Sequence, residues 1–186
     1  MNAQLPSRSW LLAHPDAAGE WVWSIGVEAQ LTAAALTCRY ALRGDLAHVR
    51  VMAATGAQRA DGLWRHTCFE AFVASPHGPG YYEFNFSPSL SWAAYRFADY
   101  RAGMSAPSLT RAPELQVRRT AAALDLTATV QLAGLAPLES AAALRIALAA
   151  VIEEDDGRLS YWALRHPSGN PDFHHPESFA LELRPA

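Results

Sequence analysis

Residues 62–101 read GLWRHTCFEAFVASPHGPGYYEFNFSPSLSWAAYRFADYR, and set acids, an amide, a guanidinium and indoles into runs of alternating residues. Glu70, Glu83, Asn85, Trp92 and Arg96 stand inside these runs, and Trp162 and His166 follow in a later one. That inventory suits a sugar. Carboxylates accept hydrogen bonds, Arg donates in a fixed fork, Asn does both, and indole faces cover apolar C–H patches. Desolvation costs little where each polar group meets a hydroxyl instead of hydrocarbon. Glu70 and Glu83 admit a second chemistry. About 5 Å apart they could serve as acid and nucleophile, or roughly 6.5–9.5 Å apart as acid and base, in glycoside hydrolysis. The plain alternative is a wetted sheet face whose charges need no ligand. Any one Trp is more often core than platform, so the sugar reading rests on the set.

These side chains need strands to carry them. Over residues 67–74, Phe69, Ala71 and Val73 share one face while Cys68, Glu70 and Phe72 share the other. Residues 75–80, SPHGPG, supply turn chemistry. Tyr82, Phe84 and Phe86 then alternate with Tyr81, Glu83 and Asn85, and after a break Trp92, Ala94 and Arg96 share a face. A three-stranded antiparallel meander follows. Similar alternation marks residues 20–28, with Trp21, Trp23, Ile25 and Val27 on one side, and residues 36–42, 114–119, 121–132, 144–152, 159–166 and 179–183. Residues 48–53 form a shorter run, and residues 1–19 read as an irregular N-terminal arm. With no sustained helical period and no repeat, residues 20–186 are expected to form one all-β domain. Its architecture is a sandwich or jelly roll of about ten antiparallel strands.

At 186 residues the chain can bury a full core, and 51% hydrophobic with 18% charged residues is ordinary globular composition. The net charge is −3 and Lys is absent, so no field or motif for nucleic acid is present. No stretch approaches a signal or membrane span, so a cytoplasmic location is the default, and oligomeric state is left open. Cys38 and Cys68 are expected as buried thiols, a disulfide between neighbouring strands being the alternative. Residues 153–157, EEDDG, read as a solvated hairpin turn, with calcium the minor reading. His166, Asp172, His174 and His175 could suit zinc, but three prolines punctuate the segment, and a structural loop is the plainer expectation. His66 could partner Glu70, its fourth neighbour. No nucleophile motif is present.

The runs LWRHTCFEAFVA, YYEFNFSPSLSWAAYRFADYR and YWALRHPSGNPDFHHPESFALEL resemble a bacterial subgroup of the DOMON-like domains, related to carbohydrate-binding module family 9. The likeness spans roughly residues 19–183. It implies an immunoglobulin-like β-sandwich binding a sugar or a haem on one sheet face. Glu70 matches an acidic residue of the sugar-binding relatives, Trp92 and Trp162 their stacking tryptophans, and Arg96 a ligand-binding arginine. Haem-binding relatives use Met with His or Lys, and here only Met52 and Met104 offer counterparts. The expectation is a non-catalytic domain without a cofactor, binding a carbohydrate or sugar-containing metabolite through Glu70, Glu83, Asn85, Trp92, Arg96, Trp162 and His166. An interaction module with an aromatic sheet face and a haem- or metal-binding sandwich are the alternatives.

Overall fold

The period-two alternation becomes eleven antiparallel strands in the computed structural model, which describes residues 7–54 and 56–186. They are β1 (Ser7–Ala13), β2 (Val22–Leu31), β3 (Ala35–Gly44), β4 (Cys68–Ala74), β5 (Tyr81–Phe86), β6 (Trp92–Phe97), β7 (Glu114–Arg119), β8 (Ala123–Gln131), β9 (Leu144–Glu153), β10 (Leu159–Ala163) and β11 (Leu181–Leu183). The order is β6-β5-β4-β9-β10-β1-β2-β3-β8-β7, with β11 also on β9. The sheet curls until its halves face each other. Ile25, Tyr40 and Leu126 of one half share a core with Phe69, Phe84 and Leu148 of the other. The Tyr40 hydroxyl crosses it, donating to the Glu70 carbonyl at 2.8 Å. This is the expected all-β sandwich.

Three local readings change. Residues 7–19, expected as an irregular arm, contain β1, which pairs with β2 through Ser7–Leu11 and with β10 through Leu12 and Ala13. Residues 1–6 lie outside the described residues. In β2 a bulge between Val22 and Ser24 breaks the alternation, so Trp23 turns outward at 67% exposure while Val22 and Ile25 are buried. The acidic turn is not wholly solvated. Glu153 is buried between Arg50, at 2.8 Å, and His66, at 2.7 Å, so the partner of His66 is Glu153 and not Glu70. Buried Glu154 accepts the backbone N–H of Glu20 at 2.7 Å, where Gly19 leaves it room. Cys38 and Cys68 are buried free thiols, and burial raises both, Cys38 to about 12.

Registry decides what the curled sheet shows outside. Residues directly opposite across antiparallel strands project to the same face. One row runs Trp162, Ala150, Phe69, Phe86, Trp92 and faces the core. The next runs Ala163, Ala149, Glu70, Asn85, Ala93 and faces out. A third sets Ala147 beside Phe72, Glu83 and Tyr95. Alanines thus flank the acids, and methyl-sized neighbours leave a hollow where larger side chains would have closed the face.

Candidate functional site

The hollow is a half-open pocket of about 340 Å³ on the outer face of β4, β5, β6, β9 and β10. Glu70 and Glu83 form its polar floor, with Arg101 and His174 beside them and Trp64, Tyr95, Phe97, Tyr161 and Phe173 as walls. The volume falls at the lower end of the range for small-molecule sites. The two acids are diagonal neighbours, since Glu70 opposes Asn85 and Glu83 opposes Phe72.

Glu70 is buried, and its Oε1 has no hydrogen-bond partner among the described residues. Isolating a carboxylate there would cost several kcal/mol, whereas each pH unit of upward shift costs about 1.4 kcal/mol, so taking up a proton is the cheaper state. Burial first, and then the charge of Glu83, push the Glu70 carboxyl well above the ordinary range. Glu83 is raised as well by burial, but Asn85 works against the shift by donating to its Oε1 at 2.7 Å. Of the pair, Glu83 is the better carboxylate and Glu70 the better acid.

His174 completes a relay. The Arg101 backbone N–H donates to the Tyr81 hydroxyl at 3.2 Å, and that oxygen lies 2.8 Å from His174 Nδ1. If Tyr81 gives its proton to Nδ1, the remaining imidazole proton is on Nε2, 3.7 Å from Glu83 Oε2. That tautomer sets a proton and not a lone pair against the carboxylate. Burial and the nearby Arg101 charge hold His174 down at about 4, so the contact is not an ion pair at neutral pH. Arg101 takes a left-handed backbone (φ 52), which costs a side-chain-bearing residue about 1–3 kcal/mol and is typical of ligand-facing loops. Its guanidinium lies 2.7 Å from Asp172 Oδ1, while Tyr100 donates to Oδ2.

Trp64 comes from the 3-10 turn Leu63–Arg65, entered through Gly62 in the left-handed region (φ 76). The turn is tied on one side by His66 to Glu153. On the other, Trp64 packs edge-on to Tyr95 at 5.8 Å, and the Tyr95 hydroxyl donates to Asp61 at 2.6 Å. At 39% exposure Trp64 stays partly open to solvent at the pocket wall.

Of the seven residues expected to converge, Glu70 and Glu83 line the pocket and Asn85 lies beneath it, fully buried against Glu83. Four stand elsewhere. Trp92 opposes Phe86 and Arg96 opposes Tyr82, which puts both on the core side of β6, Trp92 packed on the core and Arg96 exposed at the rim. Trp162 is buried in the same core with Nε1 bonded to Ser160. His166 sits behind the wall, bonded through Nε2 to the Leu12 carbonyl, its ring 6.4 Å from Phe173. Arg101, Trp64 and Tyr95 are among the residues missed, with Phe97, Tyr161 and Phe173 of the walls. Tyr95 and Phe97 were visible as the opposite parity of the same β6 run, whereas Trp64 and Arg101 lie in turns, where no period points them anywhere. His166, Asp172, His174 and His175 go to separate partners, and among the described residues no group of three or more His, Cys, Asp or Glu could hold a metal ion. His174 presents one nitrogen to Tyr81 and the other to Glu83, and of the two methionines considered for haem Met104 lines the pocket while Met52 is not part of its lining.

A curled antiparallel sandwich with this strand arrangement has the fold of the CBM9-like β-sandwiches. A candidate carbohydrate-binding protein from Bacteroides uniformis superposes with a TM-score of 0.72 at 13% identity, covering 97% of this chain and 87% of that one. A family 9 carbohydrate-binding module from Caldicellulosiruptor kristjanssonii was solved with glucose and with cellotriose. The glucose complex gives a TM-score of 0.55 at 9% identity over 91% of this chain and 80% of the module. The cellotriose complex gives 0.54 at 10% identity over 95% and 81%. No protein-family model matches the chain, and no curated protein matches it in sequence.

Proposed function

We propose that this chain is a non-catalytic carbohydrate-binding domain of DOMON-like type, holding one or two sugar units in the pocket over Glu70 and Glu83. The observation that carries the reading is the unpartnered, buried Oε1 of Glu70 at the bottom of an aromatic-walled hollow. A buried polar atom without a partner costs about 1–3 kcal/mol, and a hydroxyl arriving from a ligand removes that cost. Glu83, fixed by Asn85, offers a second directional partner, and the exposed indole of Trp64 suits a pyranose face. The fold shared with the modules solved with glucose and cellotriose supports the same reading.

Titrating intrinsic Trp fluorescence and heat against mono- and disaccharides tests it. At least one sugar is expected to bind, and Trp64→Ala or Glu70→Gln to weaken it tenfold or more with an unchanged circular dichroism spectrum. A flat response across the panel, or losses that follow unfolding, would sink the reading. A second reading, a docking surface for a protein partner, draws on Trp10, Leu12 and Trp23, which stand 63%, 58% and 67% exposed on neighbouring strands β1 and β2.

A further inference from the structure

The pocket holds more carboxyl groups than its own donors and cations engage. Three carboxyl groups, Glu70, Glu83 and Asp172, gather about one guanidinium, and that guanidinium is committed to Asp172 at 2.7 Å. Tyr100 holds the second oxygen of Asp172, so the Arg101 guanidinium hydrogen-bonds to Asp172 and reaches the floor acids only as a nearby charge. Glu83 receives one amide N–H from Asn85 and faces a neutral imidazole. Glu70 Oε1 receives nothing. The floor is therefore short of donors and short of positive charge.

The walls supply the complement to that floor. Trp64, Tyr95, Phe97, Tyr161 and Phe173 surround the opening, and aromatic faces carry a negative quadrupole that attracts cations, most strongly once water is excluded. A hydroxyl could satisfy Glu70 Oε1 but would leave the Glu83 carboxylate unmatched. An ammonium group brings up to three donors together with a positive charge, and its arrival favours release of the Glu70 proton.

We propose that the pocket selects sugars bearing a cationic amino group, the ammonium lying between Glu70 and Glu83 and the ring against Trp64. The selection rests on the carbohydrate reading for the ring and on the floor's own groups for the charge. Glu70 and Glu83 are the specificity-determining residues, Asn85 and His174 positioning residues for Glu83.

Isothermal titration at about pH 6.5, below the usual titration of an α-amine, and at matched ionic strength would use four probes: glucosamine, glucose, N-acetylglucosamine and tetramethylammonium. Glucosamine is expected to bind at least tenfold more tightly than glucose or N-acetylglucosamine, which keep the ring without the charge. The preference should shrink to under threefold in Glu70→Gln and in Glu83→Gln, two variants that guard against a folding defect in either one. Equal affinity for glucose and glucosamine, or a preference untouched by both variants, overturns charge selection and leaves the carbohydrate reading standing. Binding of tetramethylammonium alone supports the cation site and overturns the sugar reading. Silence from all four probes overturns both.

Discussion

Glu70 and His174 pull the pH dependence of stability in opposite directions. The folded chain binds a proton at Glu70 more readily than the unfolded one, so stability is fully present below the ordinary glutamate range and is lost as pH rises through the raised folded value. Glu83 has the same sign. His174 must be neutral to stay buried; its contribution is complete above about 6.5 and is lost as pH falls towards its folded value of about 4. Glu70→Gln imitates the protonated carboxyl. It is expected to leave stability at acid pH unchanged and to raise it near pH 8 by about 1–3 kcal/mol, read from urea unfolding at about pH 5 and 8. Parallel pH profiles for wild type and variant would show that Glu70 is ionised at no such cost. At this scale the sequence was informative about the acids and Asn85, because strand parity alone puts Glu70 with Phe72 and Glu83 with Asn85. It could not show Arg101, whose left-handed turn and reach to Asp172 depend on contacts some seventy positions away.

Among the elements, pairing register separates binding tryptophans from structural ones. Trp92 and Trp162 end the row that passes through Phe86, Phe69 and Ala150, on the core side of four adjacent strand pairings. Shifting any one strand by a single residue would exchange its two faces. Parity within β6 was readable, and it correctly grouped Trp92 with Ala94 and Arg96. Which group joins Glu83 was not, because that depends on the neighbour opposite. Trp162→Ala is accordingly expected to destabilise the domain by about 3–5 kcal/mol through the cavity it leaves, with ligand affinity unchanged while the chain remains folded. Trp64→Ala should do the reverse, costing affinity and little stability. Denaturant midpoints and titrations on both variants separate the two cases, and the assignment fails if Trp162→Ala abolishes binding in a protein as stable as wild type.

Over the whole molecule, β1 joins the two halves of the curled sheet, pairing with β2 along most of its length and with β10 at its end. Leu11 lies in that joint at 4% exposure, in the core cluster to which both halves contribute. Leu11→Ala should cost about 2–5 kcal/mol and leave one cooperative transition, with far-ultraviolet circular dichroism and Trp fluorescence coinciding during urea unfolding. Two separated transitions would mean that the halves are independent units. The alternation of apolar and polar residues, the turn residues between runs and the absence of helical period determined an all-β sandwich, because a strand's faces are a local property of the chain. Which face turned inward, which acids met, and that Trp64, Tyr161 and Phe173 would surround them were decided only by tertiary structure. Register and curl arise from pairing between distant segments, and no local spacing carries that information.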